Sequence, residues 1–360
     1  MKDMYDETMK IDPRSIEGNE TAADIVDTTF LAYNAGRIRE VCQLFTNKLS
    51  REDVLIGVSL TGALTPAGLG VSCIVPLIKN GLIDWIVSTG ANLYHDLHFS
   101  LGKSLYRGSP FVDDRRLKKE GIIRIYDILC SYDVLLSTDT FIYNTVSGRD
   151  FQKKMGTAEL HYLLGKYALE REKILGLQEK SILACAFEYD VPVYTPSPGD
   201  SSIGMNIAAL HGKEEKISID TMRDVNETAS IVYTAKKKGM KSSVIILGGG
   251  SPKNFLLQTE PHIQEILGLQ EAGHDYFVQI TDARPDTGGL SGATPREAVS
   301  WGKIDPDAVQ DSVVVYADTT IVLPIITSYA LSKKLQKKHT RLYTKRKEML
   351  ATLMNDVDRP

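Results

Sequence analysis

Six short apolar runs, each stopping at small or polar residues, constrain this chain more than any other feature. They read "DVLIGVSLTG" (53–62), "DWIVSTGAN" (84–92), "VPVYTPSPGDSS" (191–202), "SSVIILGGGSPKN" (242–254), "DYFVQITDA" (275–283) and "SVVVYADTT" (312–320). Most are followed by sequence of helical period. Strands that are apolar on both faces and alternate with helices build a parallel sheet with helices on either side. Ligands of such sheets bind outside the carboxyl ends of the strands, so the six polar strand ends predict one shared crevice.

The expected fold class is therefore α/β, a Rossmann-like parallel sheet with helices on both faces, in a single large domain. Residues 1–20 are polar and read as a flexible segment, 21–335 as the domain, and 336–360 as a basic C-terminal helix or tail. Within the domain, 105–190 looks like an elaboration. The stretch from Thr21 has helical period and is expected to break at Asn34-Ala-Gly36.

A net charge of -4 gives no reason to expect nucleic acid as a partner. Two basic clusters exist, "KKKGMK" (236–241) and "SKKLQKKHTRLYTKRK" (332–347); Leu335, Leu342 and Leu350 make the second a solvated terminal helix. Cys42, Cys73, Cys130 and Cys185 form no CxxC pair and read as buried thiols in a reducing compartment. The opening "MKDMYDETMKIDPRS" has no secretion-signal pattern, and no run is long enough to span a bilayer. The expectation is a cytoplasmic protein with no membrane partner.

A strict G-x-G-x-x-G fingerprint is absent. In its place "LTGALTPAGLG" (60–70), "STGAN" (88–92) and "LGGGSPKN" (247–254) follow strands with residues that let backbone N–H groups approach phosphates. Together they point to a dinucleotide. Asp200 and Asp318 end strands, where a carboxylate either holds ribose hydroxyls or caps the next helix. His95 and His98 are three apart, but no third ligand is evident, so no metal is expected.

"TPREAVSWGKID" (294–305) sets one lysine beside an indole and a glycine. Thr294, Pro295 and Glu297 are a helix-start signature in which Glu297 would reach back to the cap. An amine becomes nucleophilic when burial or a nearby cation keeps it partly neutral. An indole at Trp301 supplies burial and attracts a cationic amine, worth about 0.5–2 kcal/mol.

"STGANLYHDL", "VPVYTPSPGDSSIG", "IILGGGSPKN", "REAVSWGKI" and "VYADTTIVLP", in this order, resemble the deoxyhypusine synthase family from about residue 20 to about 335. The resemblance implies an NAD-dependent aminobutyl transfer from a spermidine-like polyamine, through a lysine imine, to an acceptor amine. It implies Lys303 as the imine-forming lysine. Trp301, Glu297, His95, Asn254 and Gly288 would line the polyamine slot. Thr61, Thr89, Gly90, Asp200, Gly248, Gly249, Ala283, Ala317 and Asp318 would contact NAD. It further implies a homotetramer with active sites at a dimer interface.

The chain departs from the family pattern at the amine pocket. Tyr94-His95 stands where members acting on the translation-factor precursor carry paired acids. Asn254 replaces a histidine, and Met205 and Leu290 replace aspartates. The expectation is hydride and Schiff-base chemistry with altered amine recognition, the acceptor being a small diamine such as putrescine. The alternatives are a protein lysine on the precursor of translation initiation factor 5A, and a plain NAD-dependent amine dehydrogenase.

Overall fold

The computed structural model describes residues 10–210 and 216–357; the first nine residues of the segment expected to be flexible lie outside it. All six apolar runs form strands: β1 (Val54–Leu60), β2 (Trp85–Ser88), β3 (Val193–Tyr194), β4 (Lys241–Leu247), β5 (Tyr276–Thr281) and β6 (Ser312–Tyr316). They make one sheet in the order β6-β5-β4-β1-β2-β3, parallel at every pairing. This is the doubly wound order in which the chain reverses direction between β1 and β4, leaving a crevice at their carboxyl ends.

Alternate side chains divide the sheet into two apolar faces. Leu55, Trp85, Val87, Val244, Ile246 and Phe277 share one cluster, and Ile56, Val58, Ile86, Ile245, Leu247 and Val278 share the other. The helices that matter below are α1 (Gly90–Ser100), α2 (Tyr132–Val146), α3 (Thr157–Leu175), α4 (Thr221–Lys237), α5 (Gly250–Leu257), α6 (Pro295–Ser300), α7 (Thr319–Ser332) and α8 (Leu342–Asp356). Ile231 and Val232 of α4 and Leu256 of α5 belong to the first cluster; Leu93 of α1 and Val322 of α7 belong to the second. Gly57 in β1 is required by close packing, since a Cβ there would lie 2.6 Å from the Trp85 ring. No helix among the described residues is long and apolar enough to cross a membrane.

The segment between β2 and β3 does carry an elaboration, a small antiparallel sheet of 106–107, 122–125 and 128–131 followed by α2 and α3. Two local expectations are corrected. The N-terminal helical stretch breaks before Tyr33, which takes φ 55°, and Gly36 lies buried inside the helix Tyr33–Leu44. The basic C-terminal stretch is no solvated appendage. Leu342, Met349 and Leu353 of α8 are buried, and Arg346 donates to Glu227 Oε2 of α4 at 2.9 Å. The positive charges misled because two of them, Lys337 and Arg346, are paired inward.

Lys337 is deeper still. Its ammonium has no exposed surface and donates to Val54 O and, at 3.1 Å, to Asp84 Oδ2. Asp84 also accepts from Ile56 N at 2.7 Å and from Thr340 Oγ1 at 2.8 Å. A carboxylate buried at the start of the central strands is thus neutralised by the chain that leads into α8.

Candidate active site

α6 is short because its sequence ends it. Thr294 caps its start, accepting from Glu297 N at 3.2 Å, and Pro295 fills the first helical position. The reciprocal bond from the Glu297 carboxylate does not form, so that carboxylate lines a cavity instead. Gly302 ends the helix in the left-handed region at φ 64°, with Gly302 N bonded to Val299 O and Lys303 N to Ala298 O at 3.0 Å each. That reversal swings Lys303 onto the face shared by Glu297 and Trp301. Backbone bonds then fix the lysine's main chain beside the sheet: His274 N donates to Lys303 O at 3.0 Å and Asp305 N to His274 O at 3.1 Å.

The cavity so formed holds about 250 Å³. Leu257, Phe277, Leu290 and Ala298 give it apolar walls, and Glu297, Asn254, Lys253 and Lys303 supply its polar groups. Lys303 Nζ donates to Asn254 Oδ1 at 3.1 Å and stands 5.7 Å from the centre of the Trp301 ring. Trp301 does not shield the amine as expected. It is 58% exposed and forms the outer wall, while burial comes from the residues beneath.

The structure reveals a second amine that sequence reasoning missed. Lys253, buried on α5, donates to Ala293 O at 2.7 Å, Gln279 Oε1 at 3.0 Å and Ser291 O at 3.4 Å. Gln279 is itself buried in β5 and donates to Gly248 O and Ser291 O at 2.9 and 2.7 Å. The signal was present in "YFVQIT", where a glutamine interrupts an apolar strand and needs partners.

Burial pushes both amines down, Lys253 to about 8 with the Lys303 charge adding to the effect. For Lys303 the charges of Glu297 and Glu265 pull the other way. Three oxygens around Lys253 call for three N–H donors, which only its ammonium supplies, whereas Lys303 has one acceptor. The bonding therefore suits an ammonium at Lys253 and leaves Lys303 the amine with fewer bonds to lose on giving up a proton. Replacing Lys253 by methionine should raise the pKa of Lys303, because a neighbouring cation is lost. Any reaction needing the free Lys303 amine would then have its acid limb shifted upward by about one pH unit. An unchanged pH profile for labelling of Lys303 by an amine-reactive reagent would refute this assignment of charge.

The positions expected to hold a dinucleotide gather at the carboxyl edge of the sheet. Gly248 and Gly250 take φ 86° and 59° at the end of β4, and Gly249 leaves no room for a Cβ, which would sit 2.4 Å from Ser291 Cα. Thr61, at the end of β1, donates across the reversal point to Gly249 O. At the end of β2, Thr89 caps α1, and a Cβ on Gly90 would lie 2.3 Å from Ser201 Oγ. Close packing against Ser291 and Ser201 thus requires a glycine at each of these two helix starts. Asp318 caps α7, with Oδ1 accepting from Thr320 N at 2.6 Å. Asp200 is not spent that way: Ser201 caps the next helix and Asp200 stays exposed. Ala283 and Ala317 lie just past β5 and β6, and Gly288 sits on an exposed turn two residues before Leu290.

One chain does not bring every expected residue together. His95 on α1, past β2, is absent from the walls of the Lys303 cavity, which lies past β4 and β5.

Residues 25–330 match the sequence profile described as deoxyhypusine synthase. The chain belongs to the deoxyhypusine synthase family. It is 58% identical over 347 residues to a deoxyhypusine synthase-like protein of Nostoc punctiforme, covering 96% of this chain and 89% of that protein. A protein of Methanosarcina acetivorans named "Probable deoxyhypusine synthase 2" is 38% identical, with 88% of each chain covered. The fold is similar to a crystal structure assigned to a deoxyhypusine synthase of Entamoeba histolytica, with TM-score 0.58, 14% identity, and coverage of 91% of this chain and 98% of that one. For a member of this family, Lys303 at the turn after α6 stands within the matched region, as do Lys253, Asn254 and Trp301.

Proposed function

We propose that this member of the family is an NAD-dependent aminobutyl transferase that passes the aminobutyl group of a spermidine-like polyamine to a small diamine such as putrescine. The observation that carries the proposal is the Lys303 amine, lowered in pKa by burial and bonded to Asn254, in an apolar cavity that Lys253 also lines. NAD, held at the glycine-rich turns after β1, β2 and β4, would accept a hydride from the donor polyamine and later return it.

The remaining chemistry falls to this chain's residues. Lys303 Nζ, oriented by Asn254 Oδ1, adds to the carbon of the oxidised donor's C=N bond. The carbon–nitrogen bond to the diaminopropane portion then breaks, that amine leaves with a proton, and the butyl chain stays joined to Lys303 as an imine. The acceptor amine adds to the same carbon and expels Lys303 as a free amine. Glu297 offsets the positive charge that passes through the cavity. A water-poor wall of Leu257, Phe277 and Leu290 protects the imine from hydrolysis.

The choice of a small acceptor rests on the amine pocket. Leu290 contributes apolar surface there, and Glu297 is the carboxylate lining the cavity. A protein lysine on the precursor of translation initiation factor 5A is the competing acceptor. The absence of His95 from the Lys303 cavity supports a site completed by a second copy of the chain, in keeping with the proposed homotetramer.

Incubating the protein with NAD, spermidine and either putrescine or the factor precursor tests the reading. Homospermidine should accumulate with putrescine, and the precursor should keep its mass. A mass gain on the precursor alone would reject the small acceptor. Free NADH without any transferred product would mark an amine dehydrogenase.

A further inference from the structure

A chain of hydrogen bonds on the opposite side of the crevice leads from a helix backbone to one ring nitrogen. Thr138 on α2 donates its hydroxyl proton to Val134 O at 2.9 Å, so its oxygen turns lone pairs toward His98 Nδ1 at 2.7 Å. His98 must then carry its proton on Nδ1 and accept at Nε2. His95 Nδ1 lies 3.0 Å from that Nε2 and is the donor. The proton of His95 is thereby committed to Nδ1, and its Nε2 keeps a lone pair with no partner among the described residues. His98 has no exposed surface and His95 is partly exposed, so Nε2 of His95 is the open end of the chain.

The rings are held in place as well as bonded. Tyr94 meets both edge-on, with centroids 5.3 Å from His95 and 5.0 Å from His98. All three project from α1, the helix that starts at the Thr89–Gly90 turn on the carboxyl edge of β2.

We propose that Thr138, His98 and His95 form a relay that presents His95 Nε2 as an uncharged acceptor for the N–H of an alkylammonium substrate. The proposal rests on the transferase reading for its substrate class, and on the hydrogen-bond chain for everything else. A polyamine must lose an N–H proton before its neighbouring carbon can release a hydride; in a site completed by a second copy of the chain, His95 Nε2 would take it, becoming imidazolium while Nδ1 continues to donate to His98. The excess proton then passes to solvent from the exposed ring.

The surroundings keep the relay neutral at rest. Burial lowers the pKa of His95, and burial with the His95 charge lowers that of His98 to about 3. Asp139 of α2 lies beside the Tyr94 hydroxyl and accepts from Asn206 at 3.0 Å. Cys130 also approaches Tyr94. On the far side of α1, Asp96 accepts from Ile182 N, and Glu172 of α3 accepts from Ser100 and Ser181. The helix 202–208 contributes the Ser202 hydroxyl near Tyr94 and no charge.

The test reads tautomers directly. Nitrogen-15 spectra of the full-length protein with labelled imidazoles should show the Nδ1–H form at both His95 and His98 near neutral pH. Adding putrescine or spermidine should shift His95 Nε2 and leave His98 Nδ1 unmoved. Thr138→Val, which removes the hydroxyl and keeps the shape, should mix the two tautomers at both rings and raise KM for the amine about fivefold. His95→Gln, with an oxygen near the Nε2 position, should bind amine yet lose the acid limb of the pH profile. His95→Phe should lower kcat/KM about 100-fold. An Nε2–H signal at His95 in the unaltered protein would overturn the relay, as would an Nε2 resonance indifferent to amine while Lys303 still forms its imine. Absence of imine on Lys303 with the expected His95 tautomer and amine shift would count against the transferase reading alone.

Discussion

Lys303→Ala should abolish covalent capture. With NAD and spermidine present, borohydride should add one aminobutyl mass to the unaltered protein and none to the variant, and peptide mapping should place that mass on Lys303. Transfer should fall by at least about 1,000-fold, because loss of the nucleophile removes the covalent route and leaves no second amine able to take it. Lys253 is no substitute, as its nitrogen is surrounded by Ala293 O, Gln279 Oε1 and Ser291 O. Folding should be untouched, since Lys303 is half-buried and gives up one bond to Asn254. A borohydride-stable adduct that survives Lys303→Ala would end the proposal that this amine is the nucleophile.

The second large effect concerns stability. Lys337→Met should destabilise the protein by about 3–5 kcal/mol, because Asp84 would remain buried without a counter-charge. That corresponds to a fall of roughly 4–7 °C in melting temperature for a chain of this size. Lys338→Met, at the exposed neighbour, should change it by less than about 0.5 kcal/mol. Equal melting temperatures for the two variants would show that the buried pair contributes nothing.

The sheet could be read directly because every one of its strands is apolar on both faces and ends in residues that stop it. β3, only two residues long, was still announced by "VPVY" between a helix and "TPSPG". The C-terminal region was harder. Composition shows the charges of Lys337 and Arg346, but their partners Asp84 and Glu227 lie 253 and 119 residues away in sequence. The site shows the same division. The turn at Gly302 places Lys303 as the local sequence allows, whereas the Lys253–Gln279 contact depends on a helix, a strand and a loop meeting. Asp318 and Asp200 occupy equivalent strand ends, and only the identity of the following cap distinguishes them.

The backbone bridge between His274 and Lys303 restricts how the nucleophile can work. Its α-carbon is anchored to the scaffold, so the nitrogen can roam only through rotations about the side chain's own bonds. In the proposed reaction, donor and acceptor would therefore have to visit a common point in turn, because the tether between them cannot lengthen to accommodate two distant stations. Under the proposed transfer, exchange of one guest for another within that small radius, with the butyl carrier parked on the protein, would be the step that governs which amine leaves with the cargo.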